Sequence, residues 1–181
     1  RQAYADLPDG KDLPLPPARP SEEPGWFGHN LSPDGPPYET QYGKSDVFYQ
    51  THRLADLAGF YQAFGVGLAA VDRRTDHLPV ELEFAALLCF KESTALRKRN
   101  PEAAEVCRQA RKRFLAEHLA RWVPAFAEAV EQKGGSASAR GTVRALASFI
   151  AWDALRVGAD PGAEPAPVVR QEPVEDRCQS C

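Results

Sequence analysis

Residues 76–90 run Asp76-His77-Leu78-Pro79-Val80-Glu81-Leu82-Glu83-Phe84-Ala85-Ala86-Leu87-Leu88-Cys89-Phe90. Proline close behind a polar pair is the pattern of a helix start, because its missing N–H falls where no intrahelical partner exists. The spacing predicts a helix beginning near Thr75 or Asp76 and ending at about Arg97. Leu78, Leu82, Ala85, Cys89 and Glu92 make one row along it, and Phe84, Leu87, Leu88 and Phe90 widen the apolar face. So broad a face needs more than one neighbour, which marks this helix as central. Arg97, Lys98 and Arg99 complement the negative end of its dipole.

Working outward, Val47, Phe48, Thr51, Leu54, Leu57, Ala58, Tyr61 and Phe64 recur at helical steps behind Ser45 or Asp46 as N-cap. Gly65 and Gly67 stop that helix, and residues 68–75 connect it to the next. Asn100-Pro101 restarts a helix whose buried stripe is Ala103, Val106, Cys107, Ala110, Phe114, Leu115 and Leu119. Pro124 is expected to kink or restart it, and Gly134-Gly135 ends it. Ser136 or Ser138 caps a last helix with Val143, Leu146, Ala147, Ile150, Ala154 and Leu155 facing inward, closed by Gly158. No part of this middle alternates as a strand does, so the expected fold is all-α, a single helical-bundle domain.

The two ends differ from the middle. Nine of the 16 prolines lie in residues 1–45 and four in 159–181. Both ends are acidic, and the middle carries 16 basic against 13 acidic residues. That imbalance is too small to point to nucleic acid. The expected organisation is an irregular Pro-rich segment over 1–25, a helical domain over 26–158 and a disordered, flexible tail over 159–181. Within the domain, Asp34-Gly35-Pro36-Pro37 forbids helix, and Trp26, Phe27, Tyr38 and Tyr42 should pin that loop to the helical body. With 26% charged and 43% apolar residues the chain suits a globular protein. No apolar run is long enough for a membrane span, and no secretory signal is visible, so a cytoplasmic address is expected. The chain starts at Arg1 and has no methionine, so an upstream part is expected to be missing.

Three chemistries can be read at the opening stretch. His77 and Glu81, four apart, share a helix face and can ligate one metal, although a site needs three or four ligands. Asp76 can instead accept backbone N–H groups and orient His77. As a third option, Asp76, Glu81 and Glu83 present negative charge to a basic partner. Cys178 and Cys181 form a Cys-x-x-Cys that suits zinc or redox work but supplies only two ligands, while Cys89 and Cys107 sit on apolar faces as packing residues. The arginines and lysine of residues 108–113 read as a solvated face. Phosphate loops, nucleophile elbows and dinucleotide fingerprints are absent, so nothing specifies an enzyme or calls for a cofactor.

Four blocks occur in a telling order: Gly35-Pro36-Pro37-Tyr38-Glu39-Thr40-x-Tyr42-Gly43, Tyr61-x-x-x-Gly65, Asp76-His77-Leu78-Pro79-Val80-Glu81-Leu82-Glu83-Phe84, and Phe114-Leu115-x-x-His118-Leu119-x-x-Trp122-Val123-Pro124. Together they resemble the TorD/DmsD/NarJ family of redox-enzyme maturation chaperones, most like the branch that serves type II enzymes of the dimethyl-sulfoxide-reductase family. The resemblance covers residues 26–157. It implies an all-helical, cytoplasmic, non-catalytic protein that binds a molybdoenzyme catalytic subunit or its twin-arginine leader during cofactor insertion. The family signature Glu-x-x-Asp-His is met by Asp76 and His77, but Arg73 stands where the glutamate would be. The resemblance makes Tyr38, Glu39, Tyr61, Asp76, His77, Glu81 and Glu83 the candidate partner-binding residues. A partly exposed ion pair contributes at most about 1 kcal/mol, so apolar contacts between helices 46–64 and 76–97 would carry most of the affinity. A metal or redox protein using His77, Glu81, Cys178 and Cys181, and a helical adaptor with no role in cofactor insertion, are the alternatives.

Overall fold

A computed structural model describes residues 35–43, 46–67, 74–132 and 136–162. Five helices follow one another: α1 (Val47–Ala63), α2 (Leu78–Arg97), α3 (Pro101–Phe114), α4 (Ala120–Gln132) and α5 (Ala137–Val157). A single π turn, Leu115–Leu119, joins α3 to α4, so four rods result. Among the described residues there is no strand, and the all-α expectation holds. The segments 1–34 and 163–181, with Trp26, Phe27, Cys178 and Cys181, lie outside the described residues.

Local chemistry sets the ends of the rods. The Asp46 carboxylate accepts the Phe48 N–H at 2.9 Å, Asn100 Oδ1 accepts that of Ala103 at 3.0 Å, and Ser136 Oγ accepts that of Ala139 at 3.1 Å. The central helix differs from expectation at its start. It begins at Leu78, and His77 is the cap residue without a side-chain capping bond. Asp76 therefore does not cap it. Three C-termini close alike, with the N–H that follows a left-handed residue reaching back to a carbonyl of the last turn: Val66 to Tyr61 at 2.9 Å, Asn100 to Ala95 at 2.9 Å and Ala159 to Ala154 at 2.8 Å. Gly65 and Gly158 take the left-handed position in two of them, at φ 79° and 66°. In the third, Arg99 does so at φ 56°. Ala159, just past the last helix, also packs against the core.

Pro124 does not break its helix. It has no N–H for the carbonyl one turn back, yet its neighbours Trp122, Val123, Ala125 and Phe126 are all buried. The core thus holds the rod together where local preference would interrupt it. Around Phe114 the rings of Phe60 and Phe84 approach to centroid distances of 5.3 Å and 4.9 Å, and Tyr61 meets Phe84 at 4.8 Å. This cluster locks α1 onto α2 and α3. Arg111 of α3 adds a polar tie, reaching Glu92 on α2 and Asp153 on α5 at 3.4 Å each.

Several apolar residues assigned inward by periodicity point outward instead. Phe48 is 85% exposed and Leu155 80%, and Val47, Val106 and Phe90 are exposed as well. A period of 3.6 residues defines a stripe but not its edges, and each helix covers less of its stripe than the pattern allows. One prediction concerns the α2 terminus. Replacing Arg99 by glycine removes the strain of a side chain in the left-handed region and should raise stability by about 0.5–1 kcal/mol in urea unfolding.

Candidate functional site

Pro36 and Pro37 hold the chain extended before Tyr38, which sits at φ −129° and ψ 128°. The strap that follows is laid across the start of α2 by two backbone bonds. Leu78 N–H donates to the Pro37 carbonyl, and Glu39 N–H donates to that of Asp76, both at 2.9 Å. A short 3₁₀ turn, Glu39–Gln41, then reverses the chain. Tyr38, Glu39, Thr40 and Tyr42 all end up buried. Tyr42 stacks on Trp122 at 5.3 Å, and burial pushes its phenol far above the usual range. The strap is therefore held by both ring packing and charge.

Charge enters at two carboxylates. Asp76 accepts the Thr40 hydroxyl at 2.6 Å and the Thr40 N–H at 3.3 Å. Arg74 adds a fork, Nε to Oδ1 at 3.0 Å and Nη2 to Oδ2 at 2.8 Å, and a further bond to Thr40 Oγ1 at 2.8 Å. Glu39 is gripped from the other side. His118 Nδ1 lies 2.9 Å from its Oε2, and Arg53 Nη2 lies 3.1 Å from Oε1. His118 comes from the π turn, where an extra residue re-aims side chains. Its second nitrogen lies 3.4 Å from Asp56. A carboxylate buried without a partner costs several kcal/mol, so Arg74 and Arg53 are a requirement for burying Asp76 and Glu39.

Glu81 is a third buried carboxyl, and among the described residues no cation pairs with it directly. The Trp122 indole N–H donates to its Oε2 at 3.0 Å, while Oε1 has no hydrogen-bond partner. Burial first, and then the nearby Glu39 charge, hold its carboxyl well above the usual carboxylate range. Glu81 accordingly holds its proton to higher pH than an ordinary glutamate. Beside it, the Tyr61 hydroxyl donates to the Thr75 carbonyl at 2.7 Å, tying α1 to the turn before α2. Burial first, and then the acidic side chains of Glu81, Glu39 and Asp76 around it, raise that phenol too.

Six of the seven candidate residues therefore come together: Tyr38, Glu39, Tyr61, Asp76, His77 and Glu81 are buried around one strap, and Glu83 alone is exposed. Asp76 and Glu81 do not present charge at the surface as expected. Their carboxylates are fully covered and face Thr40 and Trp122. His77 and Glu81 do not converge on a metal either. His77, in extended backbone, stacks on Tyr38 at 5.0 Å while Glu81 turns toward Trp122. Among the described residues the one convergent group of potential ligands is Asp56, Glu117 and His118. Arg113 already binds Glu117 at 2.9 Å and lies 3.9 Å from Asp56, so a cation there meets positive charge.

Sequence reasoning missed Arg53, Asp56, Arg74, His118 and Trp122 as members of this network. His118 and Trp122 carried a usable signal, a polar residue and an indole four apart inside the apolar row Leu115, Leu119, Val123. Nothing in the sequence marked which arginine would meet which carboxylate.

The neutral state of Glu81 has a consequence for stability. In the unfolded chain the group ionises as pH rises past about 4.3, but in the folded protein it keeps its proton. The unfolded state is then favoured progressively as pH climbs toward the folded value. Glu81→Gln cannot ionise, so its stability relative to the parent should increase between pH 5 and pH 8 in urea titrations. A difference that stays constant with pH would mean Glu81 is charged when folded.

Comparison with known proteins bears on identity. The profile of the nitrate reductase delta subunit family matches residues 27–128, more than half of the chain. The selenate reductase assembly chaperone protein of Thauera selenatis is 43% identical over 79 residues, which is 43% of this chain and 40% of that protein. The chlorate reductase assembly chaperone protein of Ideonella dechloratans shows the same identity over the same extent. The alignments thus span about two-fifths of the length of these curated relatives. No solved structure matches the chain. With its buried strap, its Asp76-His77 junction and this profile match, the chain belongs to the nitrate reductase delta subunit family.

Proposed function

We propose that the protein is an assembly chaperone for the catalytic subunit of a molybdenum-containing reductase. It binds that subunit, including its twin-arginine leader, in the cytoplasm and holds it during cofactor insertion before export. The observation that carries this is the 43% identity over 79 residues to two proteins named as reductase assembly chaperones. The geometry agrees with a binding role. Asp76 is engaged with Thr40 and Arg74, and Glu39 with His118 and Arg53.

The proposed division of labour follows from burial. Tyr38, Glu39, Tyr61, Asp76, His77 and Glu81 shape the junction of strap, α1 and α2. Exposed Glu83 and Phe90 lie on the outer side of α2 and meet the client directly, the aromatic ring supplying more affinity than the charge. Among the described residues no helix is long and apolar enough to cross a membrane.

Co-expression with the catalytic subunit of a reductase from the same genome should give a co-purifying complex. In a strain lacking this protein, the enzyme's molybdenum content should drop several-fold. Full molybdenum occupancy without it would overturn the proposal.

A further inference from the structure

His118 has one ring nitrogen engaged and one without a hydrogen bond. Nδ1 lies 2.9 Å from Glu39 Oε2, while Nε2 is buried and has no hydrogen-bond partner among the described residues. With the Nδ1 proton donated to Glu39, the Nε2 lone pair faces the Asp56 carboxylate, whose Oδ2 stands 3.4 Å away. A carboxylate behind one nitrogen and a lone pair on the other is how histidines bind metal ions, because the carboxylate fixes the ring and raises its basicity.

The spacing around Nε2 fits such an ion. Two ligand atoms, each about 2.1 Å from a tetrahedral zinc, stand about 3.4 Å apart. The His118–Asp56 separation matches that edge and is too long for a strong hydrogen bond. Glu117 completes the set, since one ligand atom from each of the three residues lies within 4.8 Å of the others. Its side chain is 37% exposed and can turn in by rotation about its own bonds. Arg113 need not leave. Its Nε holds the Glu117 carboxylate at 2.9 Å and 3.0 Å, and a carboxylate keeps lone pairs for a metal beside such a bond. A surface pocket of about 380 Å³, lined by Arg113, Glu117 and Asp160 among others, supplies the entry path.

We propose that His118, Asp56 and Glu117 form a site for a zinc-like divalent ion, with water in the fourth position. The neighbouring charges select the class of ion. Arg53 and Arg113 offset much of the field of the carboxylates, so magnesium and calcium, which rely on oxygen ligands, gain little there. A borderline ion gains from the imidazole nitrogen as well. Bound there, it ties α1 to the π turn and steadies the ring that grips Glu39 of the strap. This site is independent of the chaperone reading.

The test uses the full chain carrying Cys178→Ser and Cys181→Ser, so that the terminal pair takes no metal. Zinc should bind one to one in calorimetry and raise the melting temperature by several degrees, while magnesium does neither. Asp56→Asn leaves His118 and Arg53 on Glu39 and should lower zinc affinity at least about tenfold. Should that variant fail to fold, Glu117→Gln takes its place with the same expectation. Arg113→Ala removes a nearby positive charge and should tighten zinc several-fold at low salt. Cobalt in place of zinc should give the visible absorption of a four- or five-coordinate ion, and Asp56→Asn should lose it. No zinc uptake by the Cys-free-tail parent, or equal zinc affinity with and without Asp56→Asn, overturns the site. Unchanged affinity in Arg113→Ala places the ion elsewhere and overturns it too.

Discussion

The carboxylate of Asp76 is the contact on which the rest of this structure depends. It lies out of water at the point where the strap, the connector and the central helix meet, and it can stay there only if its charge is answered. Thr40 brings the strap to it and Arg74 brings the connector. Neither group is on α2, so satisfying one charge draws two other segments onto the helix start. The adjacent backbone bonds from Glu39 and Leu78 then follow with little further ordering cost.

A second charge, Glu39, extends the same logic to the far side of the bundle. Its partners come from α1 and from the π turn, so strap, α1 and the long rod are coupled through one residue. The π turn and Pro124 belong to this arrangement. A regular helix through residues 115–119 would rotate His118 relative to Trp122, and those two side chains must reach Glu39 and Glu81 respectively. A Glu81 carboxyl that holds its proton avoids adding to the paired charges of Asp76 and Glu39 a buried one with no cation beside it among the described residues.

Much of the helical plan was legible in the sequence. Asp46, Asn100-Pro101 and Ser136 announce helix starts, and Gly65 and Gly158 announce ends, because capping is a local matter of one side chain or one φ angle. The seven candidate residues came from the family resemblance, and six of them are buried together. Their orientation was not legible. Asp76 next to a helix start reads equally well as a cap, a surface charge or a buried anchor. Which of these it is depends on Thr40, 36 residues away in the chain. Phe48 and Leu155 fit their stripes by period yet stand in solvent, since the helices beside them do not extend that far.

By itself the sequence determined the all-α class and the helix boundaries to within a residue or two, because both rest on interactions within a few residues. Only the tertiary structure decided that Pro124 would be carried through its helix, that Arg99 would take a glycine's place, and that Arg74 rather than a partner would sit on Asp76. Those outcomes come from packing and from pairing buried charges between distant segments. The local chain is indifferent among several states, and the surrounding core selects one.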